Sequence, residues 1–499
     1  FIMRILLIFT ALAFSFVLNA QEENIFLDRE FWKSKPTVKL IKKKIKKGHD
    51  PAAKDRFSFD GVSYAIIDDA PLKSIKYMLS QEGNPVTKPT HGSVTYLLWA
   101  AYKGNTEVMK HLLSLGSDPK MATARGTNML LMAAIGGVDN PEVYDIILQQ
   151  GIAADYTNKS GANVLLLLSG SNVKDTSILQ YFLEKGGDVS SKDLEGNNLF
   201  NYAARGGNID LMKMWIDKGV SYNTLNEKGE NALLFAAQGV IRRTMRLEVF
   251  NYLSQELGLE VDMVNWEGES PLHLAARRAT PELLSFFITE GVSANQIDEN
   301  GNTALTNAVG GDIENVKKIH TYTKDINHQN KEGHTALTMA IKRRSKEAFD
   351  YLIENGANLD IVDVVNNNLL YYAFDAYTPD KEEVTDYIIT TLQNAGVKGT
   401  NVYAQGNTLA HIAIKKHSAF LLEKAIKLGV DINHKNNLNL SPLHLAAMKA
   451  KDKTLLSILL DNGADRQLLT EFNESAYDLA IQNELLEKEK FSLSFLKID

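Results

Sequence analysis

Two glycine markers recur through this chain in one shared register, and that recurrence constrains the fold more than any other feature. One set opens each unit: Gly61, Gly92, Gly126, Gly161, Gly196, Gly229, Gly268, Gly301, Gly333 and Gly406. The other closes it: Gly48, Gly83, Gly116, Gly151, Gly186, Gly219, Gly258, Gly291, Gly356, Gly396, Gly429 and Gly463. Most gaps are about 31 to 35 residues. A fixed period of this size marks a repeat array, in which each unit stacks on its neighbour and a continuous core grows in one dimension.

The residues between the markers specify two helices per unit. Ser63, Thr95, Asn128, Asn163, Asn198, Asn231, Ser270, Thr303, Thr335, Asn368, Thr408, Ser441 and Ser475 precede the first helix. Each is a side chain suited to accept a backbone N–H of the first turn. Pro271 and Pro442 follow where a helix tolerates proline best. Alanine pairs such as Ala275-Ala276 and Ala446-Ala447 are small where neighbouring helices approach. The second helix carries bulkier apolar residues at helical spacing, for example Val108, Met109, Leu112 and Leu113. The closing glycine then supplies a left-handed residue.

Gly268-Glu269-Ser270-Pro271-Leu272-His273-Leu274-Ala275-Ala276, Asp298-Glu299-Asn300-Gly301-Asn302-Thr303-Ala304-Leu305 and Gly356-Ala357-Asn358 together resemble the ankyrin repeat. The resemblance covers about residues 36 to 482. It implies an all-α ankyrin-repeat solenoid of about 13 helix-turn-helix units, joined by short β-hairpin turns. It also implies a protein-binding function on a concave surface lined by first helices and hairpin tips. The partner stays open, because such arrays bind unlike proteins on one framework. Some exported bacterial proteins of this kind are associated with catalases and oxidative-stress defence.

The expected organisation is a signal peptide at 1–20, an N-terminal capping segment with a half repeat at 21–58, the array at 59–482 and a C-terminal cap at 483–499. In the leader, Met3 reads as the start and Arg4 supplies positive charge. Residues 5–18 are an apolar run, and Asn19-Ala20 precedes polar Gln21. That order fits a secretory signal, and the run is short for a bilayer span. The half repeat places Val38, Ile41 and Ile45 on one face. The cap carries Phe491, Leu493, Phe495 and Leu496. Two units are stretched, by residues 239–246 and 375–383, and both are candidate hinges.

Catalytic patterns are not found. There is no phosphate loop, no His-Glu-x-x-His and no nucleophile elbow. With no cysteine in 499 residues, thiolate chemistry is excluded. The formal charge of -7 argues against nucleic acid. His273, His411 and His444 are read as hydrogen-bonding ties between repeats, and His328 and His334 as an adventitious metal pair at most. No cofactor or metal is expected, and the chain reads as a monomer without a membrane span once the leader is cut.

Candidate partner-binding residues fall in two sets. Lys103, Arg205, Arg277, Arg278, Lys342, Arg343, Lys415, Lys416 and Lys449 recur where the first helix ends, an arrangement suited to an acidic partner surface. Trp266, Tyr403 and Phe472 stand at hairpin tips, where a large exposed aromatic has no core to fill. Lys39, Lys42, Lys43, Lys44, Lys46 and Lys47 crowd one short helix, either as a solvated face or for docking to anionic lipid or an acidic partner. The functional expectation is a non-catalytic scaffold in the bacterial envelope, periplasmic or else secreted. The alternative is a secreted effector that binds host proteins.

Overall fold

A computed structural model describes residues 24–241, 243–488 and 492–497. The leader at 1–20 and Phe491 of the cap lie outside these residues. The described residues contain 28 α-helices. The chain divides into two compact units between Glu227 and Lys228. Each is a stack of antiparallel helix pairs, the ankyrin-repeat solenoid that the resemblance implied.

Local chemistry explains where each first helix starts. The Asn163 side chain accepts from the Leu166 N–H at 3.0 Å, and Asn231 accepts from Leu234 at 2.8 Å. Ser63 departs from the expected pattern. It lies one turn inside the helix Gly61–Ile67, and Asp60 is the cap, accepting from the Ser63 N–H at 2.9 Å. The earlier start follows from a fully buried Asp60, which also takes the Lys88 ammonium at 2.9 Å and the Tyr96 hydroxyl at 2.6 Å.

The alanine pairs are buried at the contacts between successive first helices. Trp215 is buried in its helix and donates to Ser169 Oγ at 3.1 Å; Trp99 donates to Thr90 Oγ1 at 2.8 Å. Both tryptophans thus serve packing between helices.

The expected β-hairpins reduce to isolated antiparallel bridges, such as Ile297 with Thr303 and Val362 with Asn368. Each tip also sends a backbone hydrogen bond to the tip before it. Within the first unit, the Lys159 N–H donates to Arg125 O at 3.0 Å and Leu194 to Ser160 at 2.8 Å. Within the second, Trp266 donates to Lys228 at 2.8 Å, Glu299 to Glu267 at 2.7 Å and Lys331 to Asn300 at 2.9 Å. Each of these tips thus closes on itself, as in Asp298 N–H to Asn302 O at 3.0 Å, and donates one further N–H to the preceding tip. Asparagines reinforce the ladder, as in Asn330 Nδ2 to Asn302 Oδ1 at 2.8 Å and Asn436 Nδ2 to Asn407 Oδ1 at 3.0 Å.

The two stretched units absorb their extra residues differently. Residues 239–241 and 243–246 are irregular and Met245 among them is buried; Leu247–Asn251 and a π-helical turn, Tyr252–Glu256, follow. Residues 375–383 form the turn Pro379–Lys381 and start a second helix of 13 residues, Glu382–Asn394. At the N-terminal end, Phe26 and Trp32 are fully buried, and Trp32 Nε1 donates to Phe26 O at 2.9 Å. The helix Val38–Lys46 buries Ile41. At the other end, Leu486 and Leu496 are buried beside Ala476–Ile481.

Candidate functional site

The polar interior is structural throughout. His273 shows how the histidines are used. Its Nδ1 accepts the Ser270 N–H at 3.2 Å, and Nε2 reaches Asn302 O of the next repeat at 3.0 Å. Because Nδ1 accepts a backbone N–H, Nε2 carries the proton and donates to the carbonyl. His411 bridges Thr408 and Leu440, and His444 bridges Ser441 and Leu468, in the same way. Burial, the largest cause, lowers the pKa of all three, that of His411 to about 4. His328 bonds Gly301 O, while His334 bonds the Tyr372 hydroxyl and Glu332. Among the described residues, no three His, Asp or Glu side chains converge as a metal set.

The cationic residues at the first-helix ends separate into tied and free. In the first unit, Lys103 is tied to Asp69 at 2.9 Å. Arg205 ends the helix Leu199–Gly206 and is half-buried, with interactions of its own. In the second unit, Arg277 and Arg278 are exposed and, among the described residues, form no ion pair. Arg343 departs from the expectation of a free cation. Its Nη1 donates to Asn307 O at 3.2 Å and to Val309 O.

The cause is Gly310-Gly311. The helix Ala304–Ala308 stops early, Val309 turns extended, and the backbone carbonyls face outward. A Cβ on Gly310 would lie 2.6 Å from Arg343 Cδ, and one on Gly311 would lie 2.4 Å from Arg277 O. The glycine pair therefore lets the two arginines approach across it. Arg343 has its pKa lowered by burial first and by the Arg277 charge second.

Further along, Asp375 binds Lys416 at 3.1 Å and breaks the row. Lys415 and Lys449 are exposed and, among the described residues, without an ion pair. Burial lowers the Lys415 pKa, and the Lys449 charge adds to that. Lys415 and Lys449 come from successive repeats, and Arg277 and Arg343 flank the repeat that carries Gly310-Gly311; within each pair the like charges repel. The expected unbroken row becomes two cationic clusters in the second unit: Arg277, Arg278 and Arg343, then Lys415 and Lys449.

The tip aromatics also divide. Trp266 is 66% exposed and Phe472 is 75% exposed. Trp266 nonetheless lies flat over the preceding tip, so close that a Cβ on Gly229 would fall 2.6 Å from its Cε2. Tyr403 departs from the expectation of an exposed tip aromatic, being only 4% exposed. Its hydroxyl donates to Asn368 Oδ1 at 3.0 Å, and its ring meets Tyr371 at 5.2 Å. It fills the space below its tip.

Sequence reading missed the aliphatic tip residues. Val364 is 70% exposed and Leu438 is 63% exposed, and Val365 joins them. The available signal was an apolar residue in the turn, where polar residues belong. With Trp266 and Phe472 they give the second unit's tips an apolar surface.

Matches to known proteins agree with this architecture. The family model described as "Ankyrin repeats" matches three times, at residues 165–265, 241–319 and 309–398. The chain therefore carries ankyrin repeats. It is 28% identical to the mouse "B-cell lymphoma 3 protein homolog" over 208 residues, 40% of this chain and 44% of that protein. It is 24% identical to the human "Transient receptor potential cation channel subfamily A member 1" over 422 residues, 82% of this chain and 34% of the channel. It is 31% identical to "L-asparaginase" of Dirofilaria immitis over 214 residues, 42% of this chain and 29% of that protein. The chain spans less than half the length of each of these relatives, one of which bears an enzyme's name.

Proposed function

We propose that this chain is a non-catalytic scaffold that docks a folded protein on its second unit, through an acidic surface of that partner. The observation that carries the reading is the exposure of Arg277 and Arg278, and of Lys415 and Lys449, at first-helix ends with no ion pair among the described residues and with like charge from another repeat nearby. Holding like charges together costs stability, and an acidic partner relieves that cost. Trp266, Val364, Leu438 and Phe472 supply apolar contact at the tips, where aromatic side chains make the strongest anchors. Export to the bacterial envelope, with a periplasmic location, is part of the reading. Its support is the sequence order of Arg4, the apolar run 5–18 and Ala20.

Two experiments test it. Tagged chain with Arg277, Arg278, Lys415 and Lys449 changed to glutamate is compared with wild type in partner capture from envelope fractions. Loss of capture with unchanged circular dichroism supports the reading, and unchanged capture refutes it. Cell fractionation tests location, and a cytoplasmic pool of unprocessed chain refutes export.

A further inference from the structure

The first unit carries a second charged surface, at the array's N-terminal end. The helices Val38–Lys46 and Leu72–Leu79 pack side by side. Ser74 Oγ donates to Pro36 O at 2.6 Å and fixes their register. Lys39, Lys42, Lys43, Lys44 and Lys46 lie on the first helix and Lys73 and Lys76 on the second, with Lys47 capping the first. Neither helix contains an aspartate or glutamate. Among the described residues, none of these eight ammonium groups forms an ion pair; Lys42 lies over the Tyr77 ring at 5.2 Å. Lys76 adds a repulsive effect on His111 of the next repeat, whose pKa is lowered first by burial.

A helix C-terminus attracts one or two cations through its dipole. It does not account for lysines along the whole outer face of one helix and onto its neighbour. The chain has 54 basic and 61 acidic residues. Setting these eight lysines apart leaves the remainder with an excess of about 15 negative charges. The lysine face is thus a local concentration of positive charge on a chain that is acidic as a whole.

We infer that this lysine face docks the first unit to an anionic lipid bilayer. Three observations favour lipid phosphate over other polyanions. The patch is built of lysine alone, and mobile point charges suit a diffuse layer of headgroups, whereas arginine dominates shaped phosphate and base recognition. The one aromatic of the two helices, Tyr77, is half-buried with Lys42 over its ring, which leaves no open face to stack a base, as single-stranded nucleic acid requires. Leu40 is exposed in their midst, an apolar residue placed to enter the interface, without the larger apolar centre a protein partner needs.

Each lysine near an anionic membrane raises partitioning by about fivefold at physiological salt. Changing Lys39, Lys43, Lys46 and Lys73 to glutamate removes four such contributions, so binding should fall by at least about 100-fold. The test is flotation with phosphatidylcholine vesicles and with vesicles containing phosphatidylglycerol. It uses the full chain and the chain starting at Gln21, because the apolar run 5–18 would insert by itself.

The chain from Gln21 should float with the anionic vesicles only, and lose binding as salt rises past the screening range. The four-lysine variant should stay in solution, and a variant with Arg277 and Arg278 changed to glutamate should float like wild type. A set of Lys→Gln changes serves if the glutamate set perturbs the circular dichroism. Failure of the Gln21 chain to float, equal flotation of the lysine variant, or release from vesicles by RNA at concentrations that leave lipid in excess would overturn the inference.

Discussion

His411 ties two repeats together in a form that acid should break. Its ring is fully buried, Nδ1 accepts the Thr408 N–H at 3.2 Å, and Nε2 donates to Leu440 O at 2.9 Å. A second proton on Nδ1 would face that N–H head-on. Burial, the charge of Lys415 and the neighbouring His434 all disfavour the cation, although the bond to Leu440 favours it. The pKa is lowered from 6.5 to about 4 in the folded chain. The unfolded state therefore binds more protons below neutral pH, so the stabilisation is full above pH 6.5 and is lost as pH falls towards 4. From these two values, stability should drop by about 2 kcal/mol between pH 7 and pH 5 through this one group. The full loss of about 3 kcal/mol is reached below pH 4.

The perturbation is His411→Asn, which removes the titration and keeps a polar side chain. Urea unfolding followed by circular dichroism at both pH values reads the effect. The variant should be less stable than wild type at pH 7, having lost hydrogen bonds worth roughly 1 kcal/mol each. The gap should narrow or reverse at pH 5. If wild type and variant lose the same stability between pH 7 and pH 5, the linkage argument is wrong. Steps in the unfolding curve are expected of a repeat array, and the comparison then uses the step that contains the second unit.

Three further outcomes follow from other contacts. Gly229→Ala places a methyl against the Trp266 ring at a residue whose φ is +74°, and should destabilise the second unit by at least about 1 kcal/mol with a shift in Trp266 fluorescence. Lys88→Ala strands the Asp60 carboxylate without its ion-pair partner and should cost about 3–5 kcal/mol in urea unfolding, whereas Asp60→Asn should cost less. Tyr403→Phe and Phe472→Ala should behave oppositely. The first loses roughly 1 kcal/mol of stability with partner capture intact, and the second weakens capture with stability intact.

Much of the fold was legible because its signals are local. A closing glycine such as Gly291, with φ +101°, reports a backbone conformation within one residue. A cap such as Asn231 reports a bond to a backbone N–H three residues on. Repetition of such signals established the helix pairs and their register without reference to packing. Ser63 was misplaced because Asp60, three residues earlier, caps equally well, and the choice depends on Lys88 and Tyr96 from the following repeat.

The site was less legible for the same reason. Tyr403 and Phe472 occupy similar places in sequence, yet one is buried against Asn368 and Tyr371, about 30 residues away, and the other meets only solvent. Arg277 and Arg343 end their helices alike, yet a glycine pair in the repeat between them leaves one free and ties the other to backbone carbonyls. Sequence determined the repeat, its punctuation and the type of side chain at each turn, since those depend on neighbours a few residues away. Tertiary structure decided which of those side chains remain available to a partner, because exposure and charge neutralisation are set by the adjacent repeat.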